Sequence, residues 1–176
     1  MAFQSTQDDY NNDIKLDPSV QLQDSVSNIC WMNPTSYNNC PTMFATTCWD
    51  KTIRIFELTQ NYGGNSIVQK AITNLTSPGI CCTWSPDNTS LYVGCGDGAI
   101  KQLNLNTMGF TDVGKHNAGI SGIHFSANMN ILISTAYENS INFWQGGPNP
   151  IFQLDIQNKV FTSDFSNNTL VGGTAN

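Results

Sequence analysis

His116 and His124 are the two side chains of this 176-residue sequence whose ordinary titration range spans neutral pH. Either could act as a general base or bind a metal. Neither has the company such chemistry needs, since no carboxylate pair or cysteine stands at ligand spacing from it. A structural role is predicted for His116, because a buried polar group must find a partner. His124 alternates within an apolar run and reads as structural or half-exposed. The six cysteines are Cys30, Cys40, Cys48, Cys81, Cys82 and Cys95, and they form no C-x-x-C pair. All but Cys40 lie in apolar runs, where cysteine behaves as a small hydrophobe. The glycines of "GCGDG" at 94–98 lie between two strand-like runs and not before a helix, which excludes a dinucleotide site. The sequence lacks a G-x-S-x-G turn, a phosphate loop and a zinc pattern. A non-enzyme without cofactor or metal is therefore expected.

The elements that would position these residues are short strands. Helical periodicity is nearly absent, and apolar runs of strand length alternate with turn residues. One set is Val26–Met32, Met43–Cys48, Thr52–Leu58 and Ile67–Ile72. A second is Ile80–Trp84, Ser90–Cys95, Ala99–Leu105 and Phe110–Val113. A third is Ile120–Phe125, Ile131–Thr135, Ser140–Trp144 and Ile151–Leu154, and a fourth begins with Val160–Phe165 and Leu170–Gly173. The sets align on an acid followed six residues later by a bulky apolar residue: Asp50 and Phe56, Asp97 and Leu103, Glu138 and Trp144. The acids are 47 and 41 residues apart. Four strands per period of about 40–45 residues is the repeat of a β-propeller blade. Asp50 and Asp97 read as formers of tight hairpin turns.

"TTCWDKTIRIFEL" at 46–58 and "STAYENSINFW" at 134–144 resemble the end of a WD repeat, and "WSPDNTSLYVGCGDGAIKQLNL" at 84–105 is a weaker form. The expected fold is all-β: a partial seven-bladed WD-repeat propeller of about three and a half blades. Finer matches are "DSVSNICWMNPTSYNNCPTMFATTCWDKTIRIFEL" at 24–58, "SPGICCTWSPDNTSLYVGCGDGAIKQLNLNTM" at 77–108 and "NPIFQLDIQNKVFTSDFSNNTLVGGTAN" at 149–176. Together they resemble the mRNA export factor family of the nuclear pore, the GLFG-lethal propellers of yeast. A sister family, the mitotic-checkpoint propellers that bind checkpoint kinases, fits nearly as well. The insertion "NPTSYNNCPT" at 33–42 favours the export factors.

In WD repeats a His, a Ser or Thr, an Asp and a Trp at such spacings form a buried hydrogen-bonded network. The resemblance implies one among His116, Ser134, Glu138 and Trp144. Glu138 stands where the family has Asp, and its extra methylene predicts a network that is strained or replaced by a surface contact. The family pattern is also altered at Ala136, Tyr137, Leu103 and Phe56. The resemblance further implies a non-enzymatic adaptor that binds a hairpin-like nucleoporin segment, or a segment of a checkpoint kinase, across one face. That face carries the loops between the second and third strands. It places a partner-contacting Trp at Trp49, beside Asp50, and makes Tyr137 and Gly96 the equivalent positions of the third and second blades. A Trp at a strand end offers a large rigid contact with one polar handle. Contact with single-stranded RNA is implied as well. The net charge of −6 and the scattered basic residues place it mainly beyond residue 176.

The expected layout is a disordered acidic terminus at 1–12, a closing strand at 13–16 and blades at 26–72, 79–114 and 119–155. A fourth blade starts at 160–176, so the ring stays open. Residues 1–13 are polar and do not form a secretory signal, and no apolar stretch approaches the ~20 residues of a membrane helix. No membrane insertion and no small-molecule substrate are expected. A reducing compartment is, and by resemblance the nucleus, the nuclear pore and the cytoplasm.

Overall fold

The computed structural model of the chain describes residues 14, 16–17, 19–34, 42–61 and 64–174. The acidic terminus, Cys40 and most of the insertion after Pro34 lie outside the described residues. Fourteen strands are described. They are β1 (Val26–Trp31), β2 (Met43–Cys48), β3 (Thr52–Asn61) and β4 (Gly64–Asn74); then β5 (Gly79–Trp84), β6 (Ser90–Cys95), β7 (Ala99–Asn104) and β8 (Gly109–Lys115); then β9 (Ile120–Ser126), β10 (Ile131–Ala136), β11 (Ser140–Trp144) and β12 (Phe152–Asp155); then β13 (Val160–Ser166) and β14 (Thr169–Thr174). They form three four-stranded sheets and one two-stranded sheet, each antiparallel with strands paired in chain order.

The three larger sheets have one register. Phe44 pairs with Phe56, Leu91 with Leu103 and Leu132 with Trp144; two residues on, Thr46 pairs with Arg54, Val93 with Lys101 and Ser134 with Asn142. The first strand pair of every sheet also carries a bulge near the start of the first strand, at Val26/Asn28, Gly79/Cys81, opposite Ile120 and at Val160/Thr162. Repeating one bulge repeats one local twist, so successive sheets present the same surface to the next.

The sheets stack face to face. β5 packs on β1 and β2, β9 on β5 and β6, and β13 on β9 and β10. Each junction has its own core. Ile53, Ile55, Trp84, Leu91 and Leu103 fill the first, Ile100, Ile120, Leu132 and Trp144 the second, and Ile133, Ile141 and Val160 the third. Second strands are therefore buried on both faces, as in Phe44–Cys48, while the outer β12 is exposed along its length. The β3–β4 hairpin runs beyond its apolar stretch, because antiparallel backbone pairing continues where side chains turn polar. Of the expected closing strand, Leu16 is described in a single parallel bridge to Ile67 of β4.

Candidate functional site

The hairpin turns between second and third strands are built alike. Trp49 N–H donates to the Ser25 carbonyl, Gly96 N–H to Pro78 and Tyr137 N–H to Gly119, each at 2.9 Å. One repeated bond thus pins each turn to the loop that leads into its own sheet. It leaves Trp49 51% and Tyr137 39% exposed on the same face. Between them Gly96 adds no side chain, and a shallow groove of about 400 Å³ results, lined by Trp49, Pro78, Ile80, Gly96, Asp97 and Tyr137 among others. Tyr137 also leans on the exposed Phe161 of the next sheet, with ring centroids 5.9 Å apart. Three aromatic rings therefore stand along one edge of the stack.

Asp50 is placed differently. Its side chain is 5% exposed and turns into the hairpin. Oδ1 accepts the Thr52 N–H at 2.8 Å and the Thr52 hydroxyl, and Oδ2 accepts the Gln23 N–H at 3.3 Å. Burial alone would raise its pKa, but these hydrogen bonds and the Arg54 guanidinium 3.6 Å away outweigh it and hold it below the usual value. The carboxylate fixes the turn that presents Trp49. Lys51 completes that turn with φ 66°, as Gly98 does in the second sheet with φ 86°.

Arg54 of β3 is buried. Nη2 donates to the Gln21 carbonyl at 2.9 Å and Nη1 to Gln69 Oε1 at 3.1 Å. The segment before β1 folds over it, which no local pattern announces.

In the third sheet His116, Ser134, Glu138 and Trp144 come together. Trp144 Nε1–H donates to Ser134 Oγ at 2.8 Å, and Ser134 Oγ lies 2.7 Å from His116 Nε2. His116 Nδ1 lies 2.6 Å from Glu138 Oε1, which also accepts the Ser140 hydroxyl, while Oε2 accepts the Asn117 N–H. An ionised carboxylate only accepts, so Nδ1 carries the imidazole proton and Nε2 takes the Ser134 proton. Every donor then points one way, from indole to carboxylate. The longer Glu138 side chain reaches the ring without breaking that order. Burial lowers the His116 pKa despite the adjacent carboxylate, so the ring is neutral at neutral pH. Burial would raise the Glu138 pKa, but the bonds from Ser140 and His116 bring it below its usual value. His124 is half-buried, with Nε2 2.8 Å from Ser163 Oγ across the third junction.

Of the described cysteines, Cys48, Cys81, Cys82 and Cys95 are buried and Cys30 is half-buried. Burial pushes the Cys81 thiol up to about 12 and the Cys95 thiol to about 11, values at which neither supplies thiolate. Among the described residues no group of three or more His, Cys, Asp or Glu side chains could hold a metal ion.

Four-stranded antiparallel units of one register, stacked face to face and joined by hydrogen-bonded turns, are the blades of a β-propeller. The WD domain, G-beta repeat, matches residues 19–57, 69–102 and 110–145, each match taking in the first two strands and part or all of the third strand of one larger sheet. The chain belongs to the WD-repeat family, and its described part is a partial propeller. Its relatives include the mRNA export factor GLE2 of Chaetomium thermophilum, 25% identical over 97% of this chain and 47% of that protein. The WD40 repeat protein poxJ of Penicillium oxalicum is 26% identical over 86% of this chain and 43% of its own length. The spindle assembly checkpoint protein bub3 of Schizosaccharomyces pombe is 30% identical over 72% and 38%. The chain thus spans less than half the length of these relatives. The computationally designed Ika4 protein shares the fold with a TM-score of 0.66, at 17% identity, over 92% of this chain and 90% of its own.

Proposed function

We propose that this chain is part of a non-enzymatic adaptor of mRNA export. It docks a short hairpin-like nucleoporin segment on the face bearing Trp49 and Tyr137. The observation that carries the reading is the groove between those two rings, floored by Gly96 and walled by Pro78 and Ile80. Exposed aromatics beside a shallow apolar groove are the usual anchors of peptide recognition. Asp50 and Gly96 act by shaping the turns. Relatives named as export factors support the nuclear pore as the place of action.

The second reading is a spindle-checkpoint adaptor that takes a similar segment of a checkpoint kinase, favoured by the relatives bub3 and bub-3. Contact with single-stranded RNA is proposed to lie mainly outside the described arc. Arg54 is buried, Lys70 pairs with Glu57 at 3.0 Å and Lys101 with Asp112 at 2.6 Å, so these cations make no track for phosphates.

Titration of the full-length protein with synthetic nucleoporin and kinase segments separates the two readings by which one binds. Trp49→Ala is expected to weaken the preferred segment by about 2 kcal/mol, roughly 30-fold. An unchanged affinity in a folded variant removes Trp49 from the site.

A further inference from the structure

Two serines of the chain stand directly before a proline, Ser77 and Ser85. A hydroxyl in that position is the acceptor that proline-directed protein kinases select. The fold treats the two serines differently. Ser85 is buried and its hydroxyl is engaged, donating to Asp87 Oδ1 at 2.6 Å and accepting the Ser90 N–H at 3.0 Å. Ser77 lies in a bend of the connection between β4 and β5. It is half-buried, as is Pro78, and Thr76 before it is exposed.

Two hydrogen bonds fix that connection to the loop face. Leu75 N–H donates to the Lys51 carbonyl at 2.7 Å, and the Pro78 carbonyl accepts the Gly96 N–H at 2.9 Å. Lys51 completes the turn that presents Trp49, and Gly96 floors the groove. Thr76 and Ser77 are the residues held between these anchors. Pro78 also keeps Ser77 away from helical backbone, because its ring crowds the residue before it. The Ser77 side chain lines the groove together with Trp49, Pro78, Ile80, Asp97 and Tyr137. Its Oγ lies 3.8 Å from the point where a Cβ on Gly96 would stand. Asp97 is the one charged side chain among the described lining residues, and it is exposed.

We propose that Ser77 is a phosphorylation site, and that a phosphate there closes the groove between Trp49 and Tyr137 to its peptide. The effect on docking rests on the docking reading above; the modification itself does not. The co-reactant is ATP and the enzyme is a Ser/Thr kinase that requires proline after its acceptor. The Ser77 oxygen attacks the γ-phosphorus, the bond from that phosphorus to the β–γ bridging oxygen breaks, and ADP leaves. The hydroxyl proton passes to the general base of the kinase. The product carries close to two negative charges at neutral pH. Beside Asp97 it repels an acidic segment, and its hydration resists the exclusion of water that contact with Trp49 and Tyr137 requires. Hydrolysis by a phosphatase returns the hydroxyl and releases inorganic phosphate, so the device is reversible.

The test begins with the full-length protein, ATP and a purified cyclin-dependent kinase, followed by phosphopeptide mapping by mass spectrometry. Phosphate is expected on Ser77 and not on Ser85. The modified protein is then titrated with the synthetic nucleoporin and kinase segments. Affinity for the preferred segment is expected to fall by at least about tenfold and to recover after phosphatase treatment. Ser77→Ala is expected to bind equally before and after exposure to the kinase, which separates Ser77 from any other acceptor. The proposal is overturned if Ser77 stays unmodified, or if the folded protein takes phosphate at Ser85 in its place. It is equally overturned if protein fully phosphorylated at Ser77 binds as tightly as the unmodified form. Failure of the docking reading shows separately, as absence of binding to either segment before any phosphate is added. That result would remove the effect on docking, while the mapping still decides the site.

Discussion

Ser134 Oγ has two partners, His116 Nε2 and Trp144 Nε1, whereas Thr46 Oγ1, at the same register of the first blade, is buried with none. The difference lies across the strand pair. Phe56 stands where the third blade has Trp144, and a phenyl ring has no N–H to offer. The second blade holds Val93 at this position, fully buried and with no polar atom to satisfy. Removing the hydroxyl is therefore expected to act with opposite sign in the two blades. Ser134→Ala orphans an indole N–H and an imidazole nitrogen and should destabilise by about 2–3 kcal/mol. Thr46→Val removes an unpaired group at nearly constant volume and should stabilise by about 1 kcal/mol. Urea denaturation with unchanged m-values reads both, and a stabilised Ser134→Ala would contradict the bond order drawn for the network. The members of that network were legible from spacing together with the WD resemblance. The orphaned Thr46 was not, because a missing partner shows only once strands are paired.

At the level of strands and hairpins, blade stacking depends on residues that add nothing. Gly114 in β8 lies under the Trp144 ring of the next blade, and a Cβ there would overlap the ring itself. Gly94 in β6 faces Ile120 and Cys81 in the same way. Trp144 is 1% exposed and anchored by its N–H, so it cannot swing aside without giving up Ser134. Gly114→Ala is expected to destabilise by about 1–3 kcal/mol through overpacking, measured by thermal unfolding against the unaltered chain. A neutral result would mean that the blades slide apart at little cost. The strand expected from the sequence, Phe110–Val113, stops one residue short of Gly114, which lies within β8. Its use appears only when the third sheet lies against the second.

Across the whole molecule, buried titratable groups act together on stability. Burial depresses the pKa values of His116 and His124, so the folded chain keeps them neutral. The unfolded chain takes up those protons below about pH 6.5, and stability falls as pH drops through that region. The Asp50 and Glu138 carboxylates are held below their usual values, so their contribution is present above about pH 4 and is lost as pH falls through the folded values. The thiols of Cys81 and Cys95 are raised, to about 12 and about 11. Above about pH 8.5 the unfolded chain releases protons that the folded chain keeps, and stability falls again. Melting temperature against pH should therefore peak between about 7 and 8, decline below 6.5 and drop more steeply below 4. A flat profile between pH 7 and 5 would show that the histidines are not held neutral. At the two ends of the arc, Ile29 and Trp31 of β1 and Phe161 and Val171 of β13 and β14 remain exposed.

By itself the sequence determined the repeat. The alternation of apolar and turn residues and the 47- and 41-residue spacing of the acids follow from local geometry, in which a strand buries every second side chain and a tight turn needs a short polar one. Trp49 and Tyr137 were legible as turn residues for the same reason. That they flank one groove and that Arg54 lies beneath the leading segment were decided only by tertiary structure. Those contacts join residues of different blades, or a blade and the segment before it, and no period along a single strand specifies which faces meet.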